Sequence, residues 1–146
     1  MRNYFFTYGS EGQPFVGGWT RVIACNIHDA VDLFRKVHPD KTEGILNCAG
    51  YYTDIQFYSK SMWLKGNFGS YEQEVIVKFK ELSVEDKWDY LETITSKEAL
   101  ILLTNVCGYS HDTMDKALYA LTGFNSFEDL MVDGLTSSGN VIVVKE

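Results

Sequence analysis

"NYFFTYGSEGQPFVGGWTRVIAC", residues 3–25, decides how the rest of the chain is read. Gly9, Gly12, Gly17 and Gly18, together with Pro14, crowd the middle of this stretch. A Walker-type phosphate loop requires G-x-x-x-x-G-K-[ST], with Lys for charge and a hydroxyl for magnesium. Gly12 and Gly17 have that spacing, but Gly18 and Trp19 occupy the Lys and Ser/Thr positions. A dinucleotide loop must run from a strand into a helix. Here the alternation of NYFFTYGS is answered by GWTRVIAC, so the loop runs from strand to strand. The reading is a hairpin with a long connection, not a phosphate cradle, and Phe15 and Trp19 are its candidate recognition residues.

Downstream, NIHDAVDLFRKVHPD predicts a helix with Asn26 as cap, an apolar face of Ile27, Ala30, Val31, Phe34 and Val37, and Pro39 as stop. GILNCAGYY reads as a short buried strand. TDIQFYSKSMWLKGNFGS opens with a capping Thr-Asp and predicts a helical turn or two before a glycine loop, and YEQEVIVKFKEL reads as a strand. The order is β-β-α-β-(α)-β, an α+β class with a small antiparallel or mixed sheet and one packed helix. From Ser83 the period becomes helical. SVEDKWDYLETI, TSKEALILLTNVCG, YSHDTMDKALYALTG and NSFEDLM predict four helices, with Ser83 and Ser110 as caps and Gly108 and Gly123 as stops. GNVIVVKE predicts a terminal strand returning to the N-terminal sheet, so residues 1–146 read as a single α+β domain with subregions 1–80 and 81–146.

Composition fits a folded globular chain: 45% hydrophobic, 14% aromatic, and 146 residues, enough for one ordinary core. Apolar runs fall short of a membrane span, and Cys25, Cys48 and Cys107 are odd in number and widely spaced. Free thiols in a cytoplasmic, soluble protein are the expectation. Charge is uneven. Residues 1–80 hold nine Lys/Arg against eight Asp/Glu, whereas residues 81–146 hold four against twelve. Such an acidic half argues against direct nucleic-acid binding and fits either a solvated face or a basic protein partner.

Individual candidates narrow the field. Cys48 as a nucleophile needs a base within reach and a lowered pKa, and no motif supplies one. His28, Asp29 and Asp32 share a helical face, but the aspartates suit the first turn of a helix, so neither a metal nor a cofactor is expected. The helices of residues 96–131 have helix-turn-helix lengths, yet the second offers only Lys116 against Asp112 and Asp115. By contrast, Glu85, Asp89 and Glu92 fall at i, i+4 and i+7 of one predicted helix, with Asp86 beside them and Glu128 and Asp129 further on. Lys87 is the only cation between Glu81 and Glu92. These six acidic residues are the candidate partner-binding set.

The segments FTYGS, PFVGGWTRVIA, AVDLFRKVHPDK, GILNCAGYY and KGNFG make residues 4–69 similar to a family of short proteins from phages, prophages and mobile elements of anaerobic Gram-positive bacteria. Small proteins of that provenance include anti-CRISPR proteins. Joined to the acidic half, the resemblance implies a cytoplasmic, stoichiometric inhibitor, with a Cas9-type nuclease as partner because its nucleic-acid channel and PAM reader are lined with Lys and Arg. Two alternatives stay open. One is a sponge for a nucleotide signal, stacking on Phe15, Trp19, Tyr51 or Tyr52 with Arg21 or Arg35 on phosphate. The other is a small enzyme using Cys48.

Overall fold

The computed structural model describes residues 1–9, 12–59, 72–135 and 140–146. Among these residues, five strands form a mixed sheet: β1 (Arg2–Thr7), β2 (Trp19–Ala24), β3 (Gly50–Thr53), β4 (Glu72–Phe79) and β5 (Val141–Lys145). Their order is β3-β1-β2-β4-β5. β1 pairs antiparallel with β2 and β3, while β4 lies parallel to β2 and to β5. The class and the returning terminal strand agree with the sequence reading.

Alternation in β1 builds both faces of the sheet, because successive side chains point to opposite sides. Tyr4 and Phe6 meet Ala30, Leu33 and Phe34 of helix α1 (Ile27–Val37), and Phe6 stacks on Phe34 with centroids 4.4 Å apart. Phe5 points the other way, onto Phe57 of the short helix α2 (Asp54–Phe57) and toward Trp19. α2 is held by a capping box between Thr53 and Gln56. β4 is buried on both faces through Val75, Ile76 and Val77, the near-continuous apolar run expected of a strand with parallel neighbours.

The opening loop does join strand to strand. Tyr8 N–H donates to Gly18 O at 3.2 Å and Gly17 N–H to Tyr8 O at 2.8 Å, extending the β1–β2 pairing into the loop. Gly17 has φ +84°, a conformation that favours glycine. One reading needs correction. GILNCAGYY is not a buried strand: pairing begins only at Gly50, β3 lies on the sheet edge, and Tyr51 is 47% exposed. Gly44 turns at φ +81° and a lone Thr42–Ile45 bridge closes the chain locally, so residues 44–49 run as turns. Most of SKSMWLKGNFGS, including KGNFG, lies outside the described residues.

Parallel strands need a crossover, and between β4 and β5 residues 80–133 supply one. They form a second compact unit, Lys80–Asp133, while Met1–Phe79 and Gly134–Glu146 form the sheet unit. The helices are α3 (Val84–Glu92), α4 (Lys97–Cys107), α5 (His111–Thr122) and α6 (Phe127–Val132). Each opens on a serine, Ser83, Ser96, Ser110 or Ser126, whose hydroxyl accepts from the backbone N–H three residues on. A capping hydroxyl of this kind stabilises a helix by about 1 kcal/mol. Leu91, Leu100, Met114, Ala117, Leu118 and Phe127 form the core of this unit.

Candidate functional site

Two constellations stand out, one in each unit. In the sheet unit, Tyr8, Thr20, His38 and Glu74 converge on one buried polar chain. Thr20 Oγ1 donates to Glu74 Oε1 at 2.9 Å, and Tyr8 Oη lies 2.6 Å from Thr20 Oγ1. A hydroxyl has a single proton, so with Thr20 donating to Glu74 the phenol must be the donor to Thr20. His38 Nε2 closes the chain on the same Oε1. Glu74 is 2% exposed, and a carboxylate so deeply placed requires partners to stay folded. Burial, with the nearby Glu74 charge, pushes the Tyr8 phenol above its usual range despite the bond to Thr20, which keeps it a donor.

Phe15 sits edge-on to Tyr8 and His38, with centroids 5.7 and 6.0 Å away. The glycine loop therefore lays an aromatic cover over this chain. Trp19 is not on the loop surface: it begins β2, is 9% exposed and packs edge-on against Phe57 at 5.2 Å.

The other sheet-unit candidates separate. Arg21 is engaged by Glu72 at 2.9 Å, by Asn3 at 3.2 Å and by the Leu135 carbonyl. Tyr52 packs against the Phe5–Trp19–Phe57 cluster. Arg35, held by Asp40 at 3.1 Å, instead shares an open groove of about 460 Å³ with Tyr51 and Cys48. Burial pushes the Cys48 thiol up to about 11, against the pull of a hydrogen bond at the Gly50 backbone. A thiol so raised is a poor nucleophile at neutral pH. Exposed Cys25 and Cys107 should therefore be alkylated first. Cys48 should react at least about tenfold more slowly at about pH 8. Peptide mapping after iodoacetamide treatment checks this, and fastest labelling at Cys48 would restore the cysteine-enzyme reading.

In the helical unit the acidic set is on the outside. Glu85, Asp86, Asp89 and Glu92 are exposed on α3, Asp129 is exposed on α6, and Glu128 is half-buried there. Lys87, the one cation of α3, points inward instead. It is 2% exposed, with Nζ 2.9 Å from Glu81, 3.0 Å from Asp115 and 5.3 Å from the centre of the Phe127 ring. The exposed surface of α3 is thus anionic without compensation from its own helix.

Helix electrostatics explain only part of this. Glu85, Asp86, Glu128 and Asp129 lie in first turns, where the helix dipole favours carboxylates. Asp89 and Glu92 lie toward the C-terminal end of α3, where the dipole favours cations, and no basic residue occupies its last turn. Glu92 accepts from Trp88 Nε1, and the Trp88 ring lies 5.9 Å from that of Tyr109. Aromatic area therefore adjoins the acidic end.

Burial works against the Lys87 ammonium, but hydrogen bonds to Glu81 and Asp115 and their charges outweigh it and raise its pKa above 10.5. Its stabilising contribution is then complete below pH 10.5 and lost only as pH rises through the folded value. Melting of the helical signal should fall in that alkaline range, and Lys87→Met should remove the part of the fall that belongs to this pair. An identical alkaline profile in the variant would contradict the pairing.

Among the described residues, no group of three or more His, Cys, Asp or Glu side chains is arranged to hold a metal ion, and no helix is long and apolar enough to cross a membrane. No family model, curated protein or solved structure matches the chain.

Proposed function

We propose that the protein is a stoichiometric inhibitor that uses the outer surface of α3 to occupy a basic, nucleic-acid-binding surface of its partner. One observation carries the reading: Asp89 and Glu92 are exposed against the preference of the helix dipole, while Lys87 is withdrawn and neutralised. Carboxylates placed at a cost to their own helix suit a cation that arrives from outside. The resemblance of residues 4–69 to phage and mobile-element proteins makes a guide-loaded Cas9-type nuclease the partner to test, within a bacterial cytoplasm. On this reading the protein needs no cofactor, has no catalytic residue and does not itself bind nucleic acid.

Inhibition should be stoichiometric rather than catalytic. In a DNA-cleavage assay, activity should be lost as the protein approaches equimolarity with the nuclease and recover as salt weakens the complex. Full cleavage at a large molar excess of the protein would reject the nuclease as partner. A second reading is kept alive by the groove shared by Arg35 and Tyr51, which would suit an aromatic anion such as a nucleotide. Thermal stabilisation by a nucleotide, lost in Arg35→Ala, would favour it.

A further inference from the structure

α4 exposes more apolar than polar side chains: beyond Lys97 and Glu98 in its first turn, Asn105 is its one exposed polar residue. After Glu98 it carries no charged residue to its end at Cys107, and it fully buries only Leu100. Leu102 and Val106, one turn apart, are 67% and 77% exposed. A surface helix of a soluble protein ordinarily turns its charged side outward. Next to this pair, Leu103 and Cys107 form one wall of a cleft of about 120 Å³, with Ala117 and Ala120 of α5 opposite, flanked by Thr113 and Lys116. Residues three and four apart adjoin on a helix, so the Leu102–Val106 ridge and the cleft are one continuous apolar surface. A ridge beside a small-residue cleft is the shape that takes another helix along its length.

Charge selects the occupant. The helical unit holds four lysines against eleven Asp and Glu, a net charge of −7. Lys87 is already neutralised, and Lys116 at the cleft pairs with Asp112 at 3.0 Å. A second copy would bring another −7 to the same place, whereas a cationic segment is drawn in. We propose that the α4–α5 cleft docks an amphipathic helix of the partner, its apolar edge on Leu102 and Val106 and its flanks rich in Lys and Arg. This rests on the reading that the partner is basic, and adds the apolar anchor that an acidic surface alone lacks.

The test uses the full chain and a synthetic Leu/Lys peptide of about 18 residues with helical periodicity. A control peptide has the same composition in alternating order. Binding is followed by fluorescence anisotropy at about 150 mM salt. The helical peptide should bind at least about tenfold more tightly than the control. Leu102→Asp and Val106→Asp lie at exposed positions and should fold normally, which circular dichroism checks. Each should weaken helical-peptide binding at least about tenfold, although the new carboxylate would attract lysine, so that loss reports apolar contact. Equal binding of both peptides, or no change in the variants, overturns the proposal. So does a wild-type dimer that either variant converts to monomer, because the cleft would then belong to a second copy. No nuclease enters this assay, so its failure is distinct from failure of the inhibitor reading.

Discussion

Glu74→Ala will lower the unfolding free energy of the sheet unit by about 2–6 kcal/mol, since each of two buried polar groups left without its partner costs about 1–3 kcal/mol. The carboxylate is a hub. Thr20 donates to it and His38 Nε2 contacts the same oxygen, so its loss leaves these two without their partner and loosens the Thr20 hydroxyl to which Tyr8 donates. Those groups come from β2, from the end of α1 and from the start of the glycine loop, and the damage spreads to all three. Glu74→Gln keeps an oxygen for Thr20 and should be markedly milder. Chemical denaturation of the full chain, read through near-ultraviolet circular dichroism, checks both variants. An alanine variant within about 1 kcal/mol of wild type would mean that the polar chain contributes little.

Reversing Glu85, Asp89 and Glu92 together to lysine will weaken partner binding by at least about 100-fold, since three attractions become three repulsions. All three side chains are exposed, so the variant should retain its helical content. Glu92→Lys also removes the acceptor for Trp88 Nε1, so Glu92→Gln is the control that separates positioning of that ring from charge. Equal affinity in wild type and triple variant would keep a binding protein but remove α3 from its interface.

Apart from the returning terminal strand, what could be read in the sequence was local. Asn26, Ser83 and Ser110 announce helix starts because a cap acts only three residues away, and Gly108 and Gly123 announce stops for the same reason. The acidic stripe was legible because i, i+4 and i+7 define one side of any helix. The inward turn of Lys87 was not: its partner Asp115 lies 28 residues away on another helix.

The polar chain beneath Phe15 was hidden for a similar reason. Tyr8 and Thr20 are 12 residues apart, Glu74 and His38 are 36 apart, and no spacing rule spans such intervals. One clue was present, a carboxylate at Glu74 directly before Val75, Ile76 and Val77, since a charge entering a buried strand must find partners. GILNCAGYY was misread because apolar content does not distinguish a central strand from an edge one. Trp19 was misassigned because its neighbouring glycines drew it into the loop, while β2 begins at Trp19 itself.

The most direct measurement is the affinity of the full chain for a guide-loaded Cas9-type nuclease across a salt series. The account predicts a complex that weakens by at least about tenfold between about 50 and 300 mM salt, as expected when exposed carboxylates meet a basic surface. Absence of any complex at about 50 mM salt with micromolar protein, where electrostatic attraction is least screened, would contradict it.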